Sequence, residues 1–383
     1  MDKQFHASAE ALMQPLKNAT IRMMLEAGVL DFIAKRPGEH VSAKELAEKT
    51  GYDELLIGKL HVARLEKLGS KLRFLADFIV SRIIVRLMRL ITLSGVCAEV
   101  GDRAYAATDI TELICKPGMA GGEKHYFDLF FPIGACLMDY MHETGFHQFP
   151  AKSDEKSPFE YAHKSGFFEF FEKNRDQRKY FDDFMSIRRE GLVVWHETYP
   201  IADQLGPGAD TNPEAVMLVD VGGGWGHDLK SLFKTHPGLS GRLILQDLPI
   251  IIGQVQSRSD TDGFELMSYD IFTPQPVKGA RAYYFHNICH DWPDTECIRF
   301  LTNTAKSMKK GYSRLLIDDY VLPNIGAPDR GSSMDILMMM FCSGMERTVR
   351  QWQDLLDACG LEITRIWNTR SDYESVIDAQ LKE

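Results

Sequence analysis

The stretch "AVMLVDVGGGWGHD", residues 215–228, decides how the rest of the chain is read. An apolar run ends at Asp220 and Val221, and four glycines then fall within the five positions 222–226. Glycine allows positive φ and a close approach of the backbone to a ligand, and a helix that begins directly after such a turn offers free N–H groups to it. Spacing narrows the ligand. A dinucleotide fingerprint needs G-x-G-x-x-G, and with Gly222 and Gly224 as its first two positions the third falls on His227. The nicotinamide dehydrogenase pattern therefore fails, and what remains is a nucleoside site with no demand for a pyrophosphate.

Downstream of residue 212, the runs "RLILQDLP", "FELMSYDIF", "ARAYYFHNI", "SRLLIDDYVLP" and "LEITRIWN" alternate with helix-like segments. Such βαβ alternation predicts an α/β fold, a parallel sheet with helices on both faces. Ligands in these sheets bind beyond the carboxyl ends of the strands. Asp247 ends the second run, where it can hold two ribose hydroxyls, and Asp270 ends the third, with Phe272 beside it to stack on or edge a base.

Upstream the period is helical from about residue 8 to 115. In "VSAKELAEKTG" Ser42 is placed to cap a helix that carries Leu46 and Ala47 inward. A short helix, a glycine turn and another helix suggest a helix-turn-helix or winged-helix module. The stretch "DEKSPFEYAHKSGFFEFFEKNRDQRKYFDDFMSIRREGLVVWHETYP" is again helical and rich in aromatic residues.

Composition bounds the function. The 383 residues, 44% hydrophobic and 26% charged, suit two or three globular domains. A net charge of −10 opposes a nucleic-acid-binding surface, which concentrates Lys and Arg, and so opposes the DNA-binding regulator that the helix-turn-helix pattern alone would suggest. Seven scattered cysteines with no C-x-x-C pair read as reduced thiols in a cytoplasmic protein. No signal-peptide core is evident, and the nearest approach to a membrane span, "LRFLADFIVSRIIVRLMRLITLSGV", is interrupted by Arg82, Arg86 and Arg89.

"YYFHNICHDWPD", residues 283–294, sets His286 and His290 four apart. A zinc-protease pair would need Glu directly after the first histidine, and Asn287 stands there after a strand-like run, so no metal is expected. A general base and a hydrogen-bonded histidine at a strand end both remain open.

Taken together, "LVDVGGGWGHD", "LQDLP", "YDIF", "HNICHDWPD", "DDYVLP" and "MERT", in that order from 218 to 348, resemble S-adenosylmethionine-dependent small-molecule O-methyltransferases of the plant caffeic acid and fungal secondary-metabolite type. The resemblance implies a Rossmann-like C-terminal methyltransferase sheet and an N-terminal winged-helix domain that forms a homodimer. It implies S-adenosylmethionine as cofactor, S-adenosylhomocysteine as product, and no metal. His290 maps to the general base, held by acidic residues at Asp319 and Glu346; Asp319 is shorter than the Glu usual there. The cofactor positions are Asp220, Gly222, Gly224, Asp247, Leu248, Asp270, Ile271 and Phe272, with His286 where many plant members carry a Lys near the adenine. Phe181, Met185 and Trp195, with Asp335, Met338 and Met339 from "SMDILMMMF", would line a pocket for a phenolic or polyketide-like hydroxyl compound. Aromatic and Met stripes at this spacing also suit a plain core.

The implied domains are 1–123 for dimerisation and 124–383 for methyl transfer, with a helical pocket segment at 124–205. One stretch interrupts the pattern: removing residues 58–84, "GKLHVARLEKLGSKLRFLADFIVSRII", joins the flanks into the amphipathic helix "YDELLIVRLMRLITLSGV". The segment reads as translated intron, since Gly58-Lys59-Leu60 can be encoded with a GTAAGT splice donor, or as an added helical hairpin that breaks at Gly69. A cofactor-binding homologue without chemistry is the further alternative, opposed by the retained His290 and Glu346.

Overall fold

The computed structural model describes residues 2–50, 84–145, 156–187, 193–257, 263–368 and 373–383. By contacts the chain divides into two compact units, Met1–Pro132 with Phe171–Glu190, and Ile133–Phe170 with Gly191–Glu383. This division is not the one at 123/124 expected from the sequence, and the helical segment 124–205 is shared between the units. Of the interrupting segment 58–84, all but Ile84 lies outside the described residues.

The first unit is mainly helical. Helices Asp2–Glu26, Val29–Ala34 and Ala43–Thr50, with a further helix over 84–93, accompany a small antiparallel sheet in the order β1-β3-β2, made of β1 (Val41–Ser42), β2 (Cys97–Gly101) and β3 (Ala104–Ala107). Ser42 opens its helix as expected: its backbone N–H donates to Glu45 Oε2 at 2.8 Å and its hydroxyl accepts from Glu45 N at 3.2 Å, a reciprocal cap. Met24, Leu30, Ile33, Leu46, Ile84, Met88, Ile91 and Tyr105 form the core, with Ile84, Met88 and Ile91 on one helical stripe. Helix Arg175–Ile187 belongs to this unit because Gly121 and Gly122 leave room for it: a Cβ on either would meet Tyr180 O or the Phe184 ring.

The second unit is built on a seven-stranded sheet in the order β11-β12-β8-β7-β4-β5-β6. Its strands are β4 (Val216–Val221), β5 (Arg242–Asp247), β6 (Glu265–Ser268), β7 (Ala282–His286), β8 (Arg314–Asp319), β11 (Leu361–Trp367) and β12 (Ser375–Leu381). A separate parallel pair joins β9 (Val321–Leu322) to β10 (Arg347–Thr348). Strand residues alternate between two apolar layers, Leu218, Tyr284 and Leu316 to one and Val219, Phe285 and Ile317 to the other, so both faces are buried. β4, β5, β6, β7 and β8 pair in parallel as expected, but β12 is antiparallel to both β8 and β11. No apolar run announced β12, because buried Asp378 interrupts it; Arg314 Nε donates to Asp378 Oδ1 at 2.7 Å and makes that burial tolerable.

Strand order reverses at β4, which lies between β5 and β7. The crevice beyond the carboxyl ends of β4 and β7 is therefore where a ligand belongs.

Candidate active site

β4 stops at the glycine loop. Gly222, Gly224 and Gly226 all take positive φ, and Gly226 is the N-cap of helix His227–Thr235. A Cβ on Gly223 would collide with the Asp220 carboxylate and with Leu245, so the loop folds directly over Asp220, which is buried at the end of β4. Only glycine fits there.

At the end of β5 the Asp247 carboxylate is fixed from two sides. Gly224 N donates to Oδ2 at 2.9 Å and Leu248 N donates to Oδ1 at 2.7 Å. Each carboxylate oxygen keeps acceptor capacity for a hydroxyl, which suits a vicinal diol. Leu248 is exposed beside it, although apolar. Beyond β6, Asp270 Oδ1 accepts from Phe272 N at 3.0 Å, Ile271 is half-buried, and the Phe272 ring meets Trp292 edge-on at 4.9 Å. The set of loop amides, helix terminus and the Asp247 carboxylate, whose oxygens are spaced for a vicinal diol, fits a nucleoside cofactor.

His286, at the end of β7, is placed by carboxylates rather than left open. Its Nδ1 lies 2.8 Å from Asp228 Oδ2, and its Nε2 lies 3.7 Å from Asp318 Oδ2, which also accepts from Tyr284 Oη at 2.9 Å. Burial raises the Asp318 pKa, against the opposing influence of His286. Asp228 was missed in the sequence because it reads as an ordinary acidic residue in a first helical turn. Next comes Asn287, with φ of 53°, a left-handed conformation uncommon outside glycine.

His290 lies in the 3-10 turn Cys289–Asp291 and is buried. Its Nδ1 pairs with Glu346 Oε1 at 2.8 Å and its Nε2 lies 3.6 Å from Asp291 Oδ1. Burial alone would lower its pKa; the Glu346 hydrogen bond and the charges of Asp291, Glu346 and Asp319 outweigh that and push it up to about 9. Asp319 makes no hydrogen bond to the imidazole among the described residues, both its carboxylate oxygens being buried without a partner, and burial holds its pKa well above the usual range. Glu346 is therefore the residue whose carboxylate meets the ring, while Asp319 is held by burial toward its neutral form. The turn also abuts the glycine loop: a Cβ on Gly222 would lie 2.6 Å from Ile288 Cδ1.

The residues expected to line a pocket fall in both units. Phe181 and Met185 belong to the first unit, where Phe181 stacks on Phe171 at 5.1 Å and lies 5.3 Å from His125. Trp195 is a core residue of the second unit, stacked on Tyr284 at 4.3 Å. Asp335, Met338 and Met339 lie on helix Asp329–Cys342; Asp335 Oδ1 accepts from Glu346 N at 2.8 Å, Met338 is buried and Met339 is partly exposed. Among the described residues no cluster of three or more His, Cys, Asp or Glu side chains could hold a metal ion.

A Rossmann-like sheet with a glycine loop, a carboxylate fixed by two backbone amides and an adjacent buried histidine is the arrangement of an enzyme that uses a nucleoside cofactor. The O-methyltransferase domain family matches residues 150–362. Over 300 residues the chain is 33% identical to methyltransferase cfoC of Aspergillus candidus, covering 77% of this chain and 73% of that protein. Over 349 residues it is 31% identical to demethylsterigmatocystin 6-O-methyltransferase of Aspergillus parasiticus, covering 91% and 81%. Among solved structures, OxaC in complex with sinefungin and meleagrin superposes with a TM-score of 0.80 at 28% identity, over 98% of this chain and 88% of that one. LepI in complex with S-adenosylmethionine gives 0.83 at 25% identity, over 99% and 89%. The chain belongs to the O-methyltransferase family. It is an S-adenosylmethionine-dependent O-methyltransferase.

Proposed function

We propose that the chain methylates a hydroxyl of an aromatic secondary metabolite, phenolic or polyketide-like, with His290 as general base. The supporting observation is the buried His290 to Glu346 pair at 2.8 Å in a turn that abuts the glycine loop. When bound, S-adenosylmethionine supplies a methyl group activated by its sulfonium charge. Asp247 and Asp270 hold the ribose and base, with Asp220, Gly222 and Gly224 shaping the loop beneath and Leu248, Ile271, Phe272 and His286 around it. His290 Nε2 accepts the acceptor hydroxyl's proton as the oxygen attacks, and Glu346 steadies the imidazolium that forms. Asp319 is buried without a hydrogen bond to the ring, and Glu346 is the acid that partners it. Of the pocket residues, Asp335 accepts from Glu346 N and shares its helix with Met338 and Met339, whereas Trp195 packs in the core.

We further propose a homodimer formed through the N-terminal region, with a winged-helix role for its small sheet and helices. Met13, Leu16 and Met23 are exposed apolar residues on helix Asp2–Glu26, an arrangement that suits a partner surface. The seven cysteines are all free, which fits a reducing, cytoplasmic setting.

Labelled methyl transfer from S-adenosylmethionine to a panel of phenols and polyketide-type aromatics, run beside His290→Ala, tests the reading. Methylated product from the wild type alone supports it. Undiminished product from His290→Ala would remove His290 as base, and binding of S-adenosylhomocysteine with no product from any acceptor would place the chain among cofactor-binding homologues without methyl transfer.

A further inference from the structure

The turn that carries His290 makes few backbone hydrogen bonds of its own, and those it makes are long: Asp291 N to Ile288 O at 3.2 Å and Trp292 N to Cys289 O at 3.3 Å. A three-residue turn does not hold a ring in place by itself. Its carbonyls are met instead by the short segment that follows helix Asp329–Cys342. Arg347 Nη1 donates to Cys289 O at 2.9 Å, Met345 N donates to His290 O at 3.0 Å, and Arg347 Nη2 donates to Trp292 O at 2.9 Å. Gly344 completes the contact, because a Cβ there would collide with His290 O.

The same segment carries Glu346. One four-residue stretch thus grips the backbone of the turn and presents the carboxylate to its imidazole, so a displacement of the segment carries both partners together. The segment is in turn tied to β8: Arg347 pairs with Val321 in the β9 and β10 ladder, two residues beyond Asp319. Arg347 Nε donates to Asp294 Oδ1 at 2.9 Å, at the start of the helix that follows the turn.

Arg347 is 0% exposed, its guanidinium 5.3 Å from the centroid of the Trp352 ring. Burying a guanidinium is costly, and an apolar residue of similar volume is often as stable or more so. The planar fork does something an apolar side chain cannot: it fixes two carbonyls and a carboxylate at defined angles.

We infer that Gly344–Arg347 forms a backbone clamp on the catalytic turn, and that Arg347 is a positioning residue for His290. The inference rests on His290 being the base. It also explains why Glu346 is buried on a short link and not on a flexible loop: the distance between acid and histidine is set by the clamp.

The test uses the full chain loaded with S-adenosylhomocysteine and labelled at the histidine Cε1 carbons, comparing wild type with Arg347→Met, Arg347→Lys and Gly344→Ala. His290→Ala identifies the signal. Gly344→Ala removes no polar group, so it tests the clamp even where Arg347→Met fails to fold. The expected result is S-adenosylhomocysteine affinity within about threefold of wild type in each folded variant. The His290 titration should move to lower pH in Arg347→Met and Gly344→Ala as the Glu346 contact loosens, and be partly restored in Arg347→Lys. Turnover on the phenol that the wild type methylates best should fall about 100-fold with little change in KM. A purely structural role would lower Tm and the number of cofactor sites but leave the His290 titration and turnover per site unchanged, and that result would overturn the inference. Full turnover by His290→Ala would instead show that the base has been misassigned.

Discussion

His290 Nδ1 and Glu346 Oε1 lie 2.8 Å apart with both residues buried, joined across 56 positions of sequence. A carboxylate on Nδ1 fixes the ring's orientation and leaves Nε2 to meet a proton from outside. Glu346→Gln should therefore lower kcat about 100-fold to 10,000-fold, the range of a general base put out of place, while S-adenosylhomocysteine binding stays within a few-fold. Steady-state kinetics beside a calorimetric titration separate the two; a parallel loss of affinity would assign Glu346 to the cofactor site.

The protein's own carboxylates push His290 up to about 9, too high for a base at neutral pH. A sulfonium cation beside it would oppose the imidazolium and lower that value. S-Adenosylmethionine should accordingly depress the His290 titration more than S-adenosylhomocysteine, which lacks the charge, when both are followed by histidine NMR. Equal titrations with the two ligands would mean that the sulfonium does not sit near His290.

Stability carries the same signature. Because the folded value of about 9 exceeds the ordinary 6.5, the stabilisation from this pairing is fully present below about pH 6.5 and is lost as pH rises through about 9. The difference in Tm between wild type and Glu346→Gln should be largest at pH 6 and should shrink toward pH 10. A difference that grows with pH would contradict the assignment.

Much of the fold was legible because β4, β5, β7 and β8 are short apolar runs ending in polar residues, the pattern of strands buried on both faces. β12 was not, since Asp378 reads as a break until Arg314 is seen to neutralise it. Of the residues proposed for the site, Asp220, Asp247, His290 and Glu346 stand in motifs that can be read in the sequence. Arg347 is not: a basic residue in "MERT" looks like a solvated charge until its guanidinium is found wholly buried against the carbonyls of Cys289 and Trp292. Trp195 could be read from the sequence as a pocket or a core residue. Its helix suggested a pocket, and only the fold reveals Tyr284 stacked against it.

Asp247 receives two backbone amides, so its carboxylate is held ready before any ligand arrives. Asp247→Ala should weaken S-adenosylhomocysteine binding 10-fold to 100-fold, about 1.4 to 2.8 kcal/mol. Calorimetry reads this directly, and an unchanged affinity would move the ribose elsewhere.

The reaction itself gives the most direct measurement of the central claim. Purified wild type and His290→Ala, each shown to bind S-adenosylhomocysteine, are supplied with methyl-labelled S-adenosylmethionine and a panel of phenolic and polyketide-type acceptors. The structure predicts labelled methyl ethers from the wild type and at least a 100-fold slower appearance from His290→Ala. Equal rates from both proteins would contradict it.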